Sequence, residues 1–223
     1  MELIIDSASL ETIKKLCKQF PIDGVTTNPS IIVREEGKPF LPLLKEILSL
    51  LEDHQTLHAQ VLATDVDGIV EEGKLINQEL DGRVFVKVPA TVDGIHAIKE
   101  LKKQKIKTTA TTVYTPLQAY MAAKAGASYV APYVNRIDNL TGNGVEVVKK
   151  IADLFERHQI NCKILSASFK NIQQVLDVGL MGSHAITVSP DLIELFVQHP
   201  AADRAVNDFR NAWENEFGSL SIK

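Results

Sequence analysis

The stretch VFVKVP, residues 84–89, is an apolar run that carries a single lysine and ends at a proline. Short apolar runs of this kind recur along the chain and alternate with longer amphipathic segments, a pattern typical of parallel strands connected by helices. The sequence predicts eight such units. Their strands are Leu3–Asp6, Gly24–Thr27, His58–Ala63, Val84–Val88, Thr108–Thr112, Tyr129–Tyr133, Lys163–Ala167 and Ala185–Val188.

Eight parallel strands with helical crossovers form either an open, doubly wound sheet or a closed barrel. The units of this chain are short and evenly spaced, which favours closure. An open dinucleotide-binding sheet is expected to carry Gly-x-Gly-x-x-Gly after its first strand, whereas this chain has DSAS at residues 6–9. We therefore predict an α/β fold, a (β/α)8 TIM barrel that forms a single domain over residues 1–200.

A further helical pattern follows the barrel and occupies residues 201–223. An apolar stripe packs either on the helix's own barrel or on a second copy of the chain, and we expect this one to dock on a neighbouring subunit. The stripe is formed by Val206, Phe209, Trp213 and Phe217.

Composition and charge limit the partners of the chain. With 24 Lys and Arg against 28 Asp and Glu, the net charge is −4, which disfavours nucleic acid as a partner. No segment approaches the roughly 20 apolar residues of a membrane helix, and no leader is evident at the N-terminus. Two cysteines, Cys17 and Cys162, are too few for a disulfide framework. We expect a cytoplasmic protein without a membrane partner, in which a small anionic substrate is bound by local cations.

Lys87 is the residue of the predicted strands that is most costly to bury. Strand alternation sets Phe85 and Lys87 on one face and three valines on the other. If the valines contact the helices, the lysine points into the barrel, where desolvation lowers its pKa and favours a nucleophilic amine. The alternatives are a buried ion pair with a carboxylate such as Asp6, or a side chain that extends to the rim.

Further polar residues gather near the C-terminal ends of the predicted strands, where the active sites of barrels lie. Gln60 is an amide inside an apolar strand, and Arg136 follows the sixth strand with donors that suit a phosphate or carboxylate. Each has an ordinary alternative, because amides satisfy neighbours, aromatic residues fill cores and arginines solvate surfaces. The polar residues at the strand ends are Asp6, Thr26, Asn28, Thr111, Tyr133 and Ser168.

Four stretches carry a resemblance to a known family: GVTTNPS at 24–30, VKVP at 86–89, APYVNRID at 131–138 and ASFK at 167–170. Together they resemble the small transaldolase family, and specifically its fructose-6-phosphate aldolase branch. The resemblance covers essentially the whole chain. The first two stretches in combination are specific to the family, whereas the other two refine the subgroup.

The resemblance implies a chemical role for Lys87 as the amine that forms a Schiff base with a ketose. It also implies that Gln60, Thr111 and Tyr133 hold a catalytic water molecule. Transaldolases proper usually carry Glu and Phe at the positions of Gln60 and Tyr133, so the pair in this chain favours an aldolase. Ala110 stands where aldolase relatives can have Gly, which leaves the width of the pocket open.

Substrate contacts are implied by the same resemblance. Asp6 and Asn28 are expected to contact the donor ketose, while Arg136 and Ser168 bind the phosphate of the aldehyde. Thr26, a polar residue at the end of the second strand, is also expected to bind the substrate. No metal or cofactor is implied. Relatives form pentamers and decamers, so we expect a homo-oligomer of one of these sizes.

The predicted function is that of a class I aldolase that cleaves or forms fructose 6-phosphate from dihydroxyacetone and glyceraldehyde 3-phosphate. One alternative is a transaldolase of the pentose phosphate pathway, which transfers the dihydroxyacetone unit to erythrose 4-phosphate. Another, from a different class, is a barrel that binds a sugar phosphate without catalysis.

Overall fold

A computed structural model describes residues 1–222 of the chain. Its strands are β1 (Glu2–Asp6), β2 (Gly24–Thr26), β3 (Thr56–Gln60), β4 (Val84–Pro89), β5 (Thr108–Val113), β6 (Tyr129–Pro132), β7 (Lys163–Ser166) and β8 (Ala185–Val188). They are parallel and close in sequence order, because β1 pairs with both β2 and β8. The predicted (β/α)8 TIM barrel is confirmed.

One predicted strand was misplaced. The sequence pattern set it at His58–Ala63, whereas β3 runs from Thr56 to Gln60. It begins earlier because Thr56 pairs with the first residue of β2. It ends earlier because the backbone N–H groups of Leu62 and Ala63 donate to the carboxylate of Glu72, at 2.6 and 3.0 Å, so this apolar continuation is a loop. The other seven strands begin and end within one residue of their predicted bounds.

The helices lie between the strands and follow the last one. They are α1 (Leu10–Gln19), α2 (Pro29–Ile32), α3 (Phe40–Ser49), α4 (Val66–Glu79), α5 (Val92–Lys103), α6 (Pro116–Ala125), α7 (Val134–Asp138), α8 (Gly144–Arg157), α9 (Ile172–Leu180), α10 (Pro190–Glu194) and α11 (Pro200–Phe217). No helix within residues 1–222 combines the length and apolar character needed to cross a membrane.

Short polar side chains begin several of these helices. The side chains of Asp65, Thr91 and Asn143 accept a hydrogen bond from a backbone N–H in the first turn of α4, α5 and α8, respectively. Such caps satisfy N–H groups that have no partner within the helix. They fix the helix starts close to the C-terminal ends of the strands, at the end of the barrel where functional residues are expected.

The inside of the barrel is layered. Phe85 packs against Ile4, Tyr129 and Leu165, which lie on strands from around the barrel. Two residues further along the same face of β4 is Lys87, and alternation directs the intervening Val86 toward the helices, where it lies beside Gly73 of α4. The predicted inward direction of Lys87 follows from this arrangement.

Contacts divide the chain into two compact units, Met1–Pro190 and a C-terminal unit that begins at Asp191. In the second unit, α11 confirms the predicted C-terminal helix, and none of its side chains is buried. Phe209 is 74% exposed, and the rings of Trp213 and Phe217 lie 4.4 Å apart between centroids. The expectation that this stripe docks on a neighbouring subunit stays a prediction.

Candidate active site

The side chain of Lys87 is enclosed by the barrel, with 6% of the residue exposed. Its Nζ donates to the backbone carbonyl oxygen of Thr27 at 2.6 Å. Burial lowers the pKa of Lys87, and the negative charge of Asp6 acts in the opposite direction with a smaller effect. The balance favours the neutral amine more than at an exposed lysine.

Neither ordinary alternative for Lys87 describes this geometry. A lysine that extends to the rim would expose its ammonium group, whereas this residue is almost fully covered. Within residues 1–222, Lys87 forms no salt bridge with Asp6, whose carboxylate instead accepts a hydrogen bond from the Thr26 hydroxyl at 2.7 Å. The amine is therefore buried without a direct counter-ion.

Asp6 and Thr26 belong to a row of oxygen-bearing side chains on three neighbouring strands of the barrel. The hydroxyl of Thr26, which donates to Asp6, also lies 2.5 Å from the hydroxyl of Thr187 on β8. The three residues come from β2, β1 and β8, which are neighbours in the closed sheet. Together they present a carboxylate and two hydroxyls, the kind of groups that bind sugar hydroxyls.

Thr111 and Tyr133 form a second pair of hydroxyl groups, with their oxygens 2.7 Å apart. The register between β5 and β6 shifts between Ala110 and Val113, and Thr112 within this bulge adopts a left-handed backbone with φ of 55°. A β-branched residue rarely adopts that conformation, so the bulge is a strained feature at the end of β5.

Opposing effects act on the pKa of the Tyr133 phenol. Burial raises its pKa, while the hydrogen bond with Thr111 and the positive charge of Arg136 both oppose the rise. The guanidinium carbon of Arg136 lies 4.7 Å from the centre of the Tyr133 ring, a cation–π contact. A cation thus sits against the ring of a candidate acid–base group.

Gln60 is the ladder partner of Lys87, since the two residues are paired between β3 and β4. Its Oε1 is buried and accepts no hydrogen bond from any residue in the described part of the chain. Most buried polar atoms in proteins have a partner, so this acceptor is available to a ligand or to a water molecule.

Arg136 and Ser168 lie on two strand-to-helix loops, residues 133–143 after β6, which include the short helix α7, and residues 167–171 after β7. The two loops meet at the same end of the barrel. Arg136 is exposed on the short helix α7, and Ser168 follows β7 in a left-handed backbone conformation with φ of 61°. Asn28 lies nearby in the fold after β2, where its side-chain oxygen caps α2 by accepting from the N–H of Ile31 at 3.0 Å.

Most of the residues singled out from the sequence line one cavity of about 150 Å3. Gln60 is the exception, because it adjoins the cavity only through its pairing with Lys87. The residues predicted from the sequence that do line it are Asp6, Thr26, Asn28, Lys87, Thr111, Tyr133, Arg136 and Ser168.

Nearly the whole sequence of the chain matches the model of a known protein family. A family model described as transaldolase/fructose-6-phosphate aldolase matches residues 3–221. The chain belongs to this family. The match runs through all eight strands and includes every residue that lines the cavity.

A solved structure of a flavocytochrome shares the fold of this chain. It is described as a mutant of flavocytochrome b2 with benzoylformate, and it matches 85% of this chain with a TM-score of 0.60 and 16% identity. The chain spans 57% of the length of that protein's chain. At this level of identity the likeness shows the fold alone.

Two residues near the site of this transaldolase/aldolase family member were missed in the sequence. Thr187 lines the cavity, and His58 is fully buried one layer below Lys87, stacked on Phe85 with ring centroids 4.8 Å apart. Both are polar residues inside apolar strands, which is the signal that identified Gln60. His58 also lies two residues before Gln60 and therefore on the same face of β3.

His58 is held as a neutral imidazole. Burial, together with the positive charge of Lys87, lowers its pKa from 6.5 to about 3. Its two ring nitrogens lie 2.8 Å from the hydroxyl of Thr109 and 3.2 Å from that of Thr56. Both ring nitrogens therefore have hydrogen-bond partners, and the imidazole adds no positive charge beside Lys87.

The His58 pKa makes the barrel sensitive to acid. Because the unfolded chain binds this proton near pH 6.5 and the folded chain only near pH 3, stability is lost as the pH falls between these values. We expect His58→Phe to reduce the slope of unfolding free energy against pH by about 1.4 kcal/mol per pH unit. Urea unfolding at several pH values in this range measures the slope.

The exposed His158 at the end of α8 provides the control for this experiment. His158→Gln removes one exposed histidine, and the slope of His58→Phe is compared with the slope of this variant. A His58→Phe variant with an unchanged slope would show that the imidazole takes up its proton within the folded barrel.

Proposed function

We propose that this chain is a class I aldolase that cleaves fructose 6-phosphate into dihydroxyacetone and glyceraldehyde 3-phosphate, and catalyses the reverse reaction. The observation that carries the proposal is Lys87, a lysine buried in a polar cavity without a direct counter-ion. Burial favours its neutral, nucleophilic form. Membership of the transaldolase/fructose-6-phosphate aldolase family supports this reaction and its close relative, dihydroxyacetone transfer.

The first step is addition of the Lys87 amine to the C2 carbonyl of the ketose. The resulting carbinolamine loses water and becomes an iminium ion, whose positive nitrogen accepts electrons from the neighbouring carbon bond. The lowering of the Lys87 pKa by burial favours this step, because an ammonium group has no lone pair with which to attack. The carbonyl oxygen of Thr27, which accepts from Nζ at 2.6 Å, orients the amine before attack.

The second step is cleavage of the bond between C3 and C4. A base removes the proton of the C4 hydroxyl, the bond electrons move to the iminium nitrogen, and the aldehyde leaves an enamine behind. We assign the base to a water molecule held by Gln60, Thr111 and Tyr133. The short Thr111–Tyr133 contact and the unpaired Oε1 of Gln60 support this assignment.

The third step returns the proton and frees the enzyme. The same water protonates C3 of the enamine, and hydrolysis of the new iminium ion releases dihydroxyacetone and the Lys87 amine. The amine and water account for every proton and electron in the cycle. The proposal therefore requires no metal or cofactor.

Binding of the substrate divides between two ends of the cavity. Asp6, Thr26 and Asn28 are proposed to contact the hydroxyls of the dihydroxyacetone unit, because they supply a carboxylate, a hydroxyl and an amide beside the lysine. Arg136 and Ser168 are proposed to bind the phosphate. A guanidinium fork matches phosphate oxygens, and a serine hydroxyl adds a donor.

Aldol cleavage and dihydroxyacetone transfer differ in the fate of the enamine. Cleavage requires its protonation, whereas transfer requires it to persist until a second aldehyde arrives. A tyrosine hydroxyl hydrogen-bonded to Thr111 at the water-binding position supports protonation, and hence the aldolase.

An assay of dihydroxyacetone release from fructose 6-phosphate tests this choice. We expect release without any added acceptor, at a rate that erythrose 4-phosphate lowers by competing for the enamine. Release that depends strictly on erythrose 4-phosphate would contradict the aldolase and support the transferase. Binding of fructose 6-phosphate with neither activity would support the non-catalytic barrel.

A further inference from the structure

The two loops that carry Arg136 and Ser168 are joined by their backbones. The N–H of Val134 donates to the carbonyl oxygen of Ala167 at 2.9 Å, and the N–H of Asn135 donates to that of Ser168 at 2.7 Å. These bonds fix the first turn of α7 on the end of β7. The other end of α7, beyond Arg136, is held by contacts of the Asp138 side chain.

Gln174 supplies a side chain that reaches both loops. Its Nε2 donates to Oδ2 of Asp138 at the end of α7, at 2.6 Å. Its Oε1 accepts from the backbone N–H of Lys170, in the loop that also holds Ser168, at 2.7 Å. A carboxylate can only accept and a backbone N–H can only donate, so these partners fix the orientation of the amide.

Asp138 anchors the other end of this link. Its second oxygen, Oδ1, accepts from the backbone N–H of Gly144 at 2.7 Å. Gly144 begins α8 and packs directly on α7, since a Cβ there would overlap the carbonyl oxygen of Val134. Asp138 thus ties the end of α7 both to α8 and, through Gln174, to α9.

We propose that Gln174 and Asp138 are positioning residues that set the affinity of the Arg136–Ser168 site for a phosphate group. The proposal deepens the proposed function, on which its assignment of the phosphate site rests. Neither residue lines the cavity, so each acts through the backbone that carries Arg136 and Ser168.

The physical reason lies in the exposure of Arg136. A long, exposed side chain has many conformations, and the forked donors bind two phosphate oxygens only when the helix beneath them is held in one place. The Gln174–Asp138 bond links residues 36 positions apart in the chain and joins the end of α7 to α9. Loss of this bond, which involves a charged group, is expected to weaken phosphate binding by about tenfold.

Titration of the full-length protein with inorganic phosphate tests the proposal, and calorimetry measures the Kd. Gln174→Leu removes both bonds of the amide and should raise the Kd by about tenfold. Asp138→Asn alone sets an amide nitrogen against that of Gln174 and should also raise the Kd. Gln173→Leu is the control, because the side chain of the neighbouring Gln173 donates to Asp177 on its own helix.

The double variant Asp138→Asn/Gln174→Glu separates positioning from a general loss of stability. It reverses the polarity of the bond: the new amide donates to the new carboxylate, which still accepts from the N–H of Lys170, while the remaining oxygen at position 138 still accepts from Gly144. The total charge is unchanged. We expect the double variant to restore the Kd to within about twofold of the unsubstituted protein, given the similar strength of the two bonds.

Steady-state kinetics also separates a positioning role from a general loss of stability. In aldol addition of dihydroxyacetone, Gln174→Leu should raise the KM for glyceraldehyde 3-phosphate while leaving the kcat, and the rate with unphosphorylated glyceraldehyde, almost unchanged. A role in the general stability of the barrel would lower the rates with both aldehydes.

Two results would overturn the positioning role: an unchanged phosphate Kd in Gln174→Leu, or a raised Kd that the double variant does not restore. The titration does not involve Lys87. A protein that binds phosphate as expected but shows no aldol chemistry would therefore contradict the proposed function while supporting the link between the loops.

Discussion

Lys87→Met is expected to lower the rate of fructose 6-phosphate cleavage by at least about 10^4-fold, because the variant lacks the amine nucleophile. Methionine is chosen because its side chain has a length similar to that of lysine. The remaining cavity keeps its carboxylate and hydroxyl groups, so binding of the sugar phosphate should persist. The measurement is steady-state release of dihydroxyacetone, together with the Kd for inorganic phosphate. The variant should lose kcat and keep phosphate affinity.

Lys107→Met is the matched control for this substitution. Lys107 is exposed and immediately precedes β5, at the end of the barrel opposite to the strand termini that carry the site. Its loss should leave the cleavage rate within about twofold, as is usual for a surface position. A Lys87→Met variant that keeps more than about a tenth of the activity would contradict nucleophilic catalysis by this lysine.

Tyr133→Phe is expected to lower aldol cleavage by about 10^2- to 10^4-fold, the range typical of a lost acid–base group. The ring and its contact with Arg136 are retained, and only the hydroxyl 2.7 Å from Thr111 is removed. The amine of Lys87 is untouched, so the iminium ion should still form. The enamine should then be protonated slowly and persist long enough to react with erythrose 4-phosphate.

Hydrogen exchange separates these steps for Tyr133→Phe. In D2O the enzyme exchanges the hydroxymethyl protons of dihydroxyacetone through the enamine, and NMR follows the loss of their signal relative to a sample without enzyme. The variant should slow this exchange in parallel with cleavage. Tyr114→Phe is the control, since the Tyr114 ring lies edge-on to Tyr133 with centroids 5.8 Å apart. If both variants kept normal exchange, the proton would have to come from another group.

Much of the fold and site could be predicted because strand alternation is a local rule. The alternation of VFVKVP places Lys87 inside as soon as the strands are parallel and covered by helices. Polar residues that interrupt apolar strands then locate the C-terminal rim, since each would be costly to bury without a use. Thr187 is likewise a polar residue in an apolar strand, β8, so its place in the site could have been predicted from the sequence.

The limits of β3 could not be predicted from hydrophobicity. The second half of the run from His58 to Ala63 is apolar, but β3 ends at Gln60. Beyond it, the backbone N–H of Leu62 donates to the carboxylate of Glu72, ten residues further along the chain. The partners of His58 were equally hidden. Thr109 lies 51 residues away on a strand two positions along the barrel, and only the closed sheet brings its hydroxyl to the imidazole.

The Gln174–Asp138 bond shows a second limit. Gln174 has the pattern of a helix start, because its N–H donates to the capping side chain of Asn171 three residues earlier. This local pattern is enough to explain a glutamine at position 174, so the sequence gives no reason to expect its bond to Asp138 on α7. Contacts between loops depend on the spacing of the strands that carry them, which no local pattern contains.

The central claim is that Lys87 forms a Schiff base with the ketose. Borohydride reduction in the presence of dihydroxyacetone or fructose 6-phosphate fixes such an intermediate as a stable amine, and peptide mass spectrometry locates it. We predict one reduced dihydroxyacetone unit per chain on Lys87, and none in Lys87→Met. Recovery of the active enzyme without an adduct, or with the adduct on another lysine, would contradict the account.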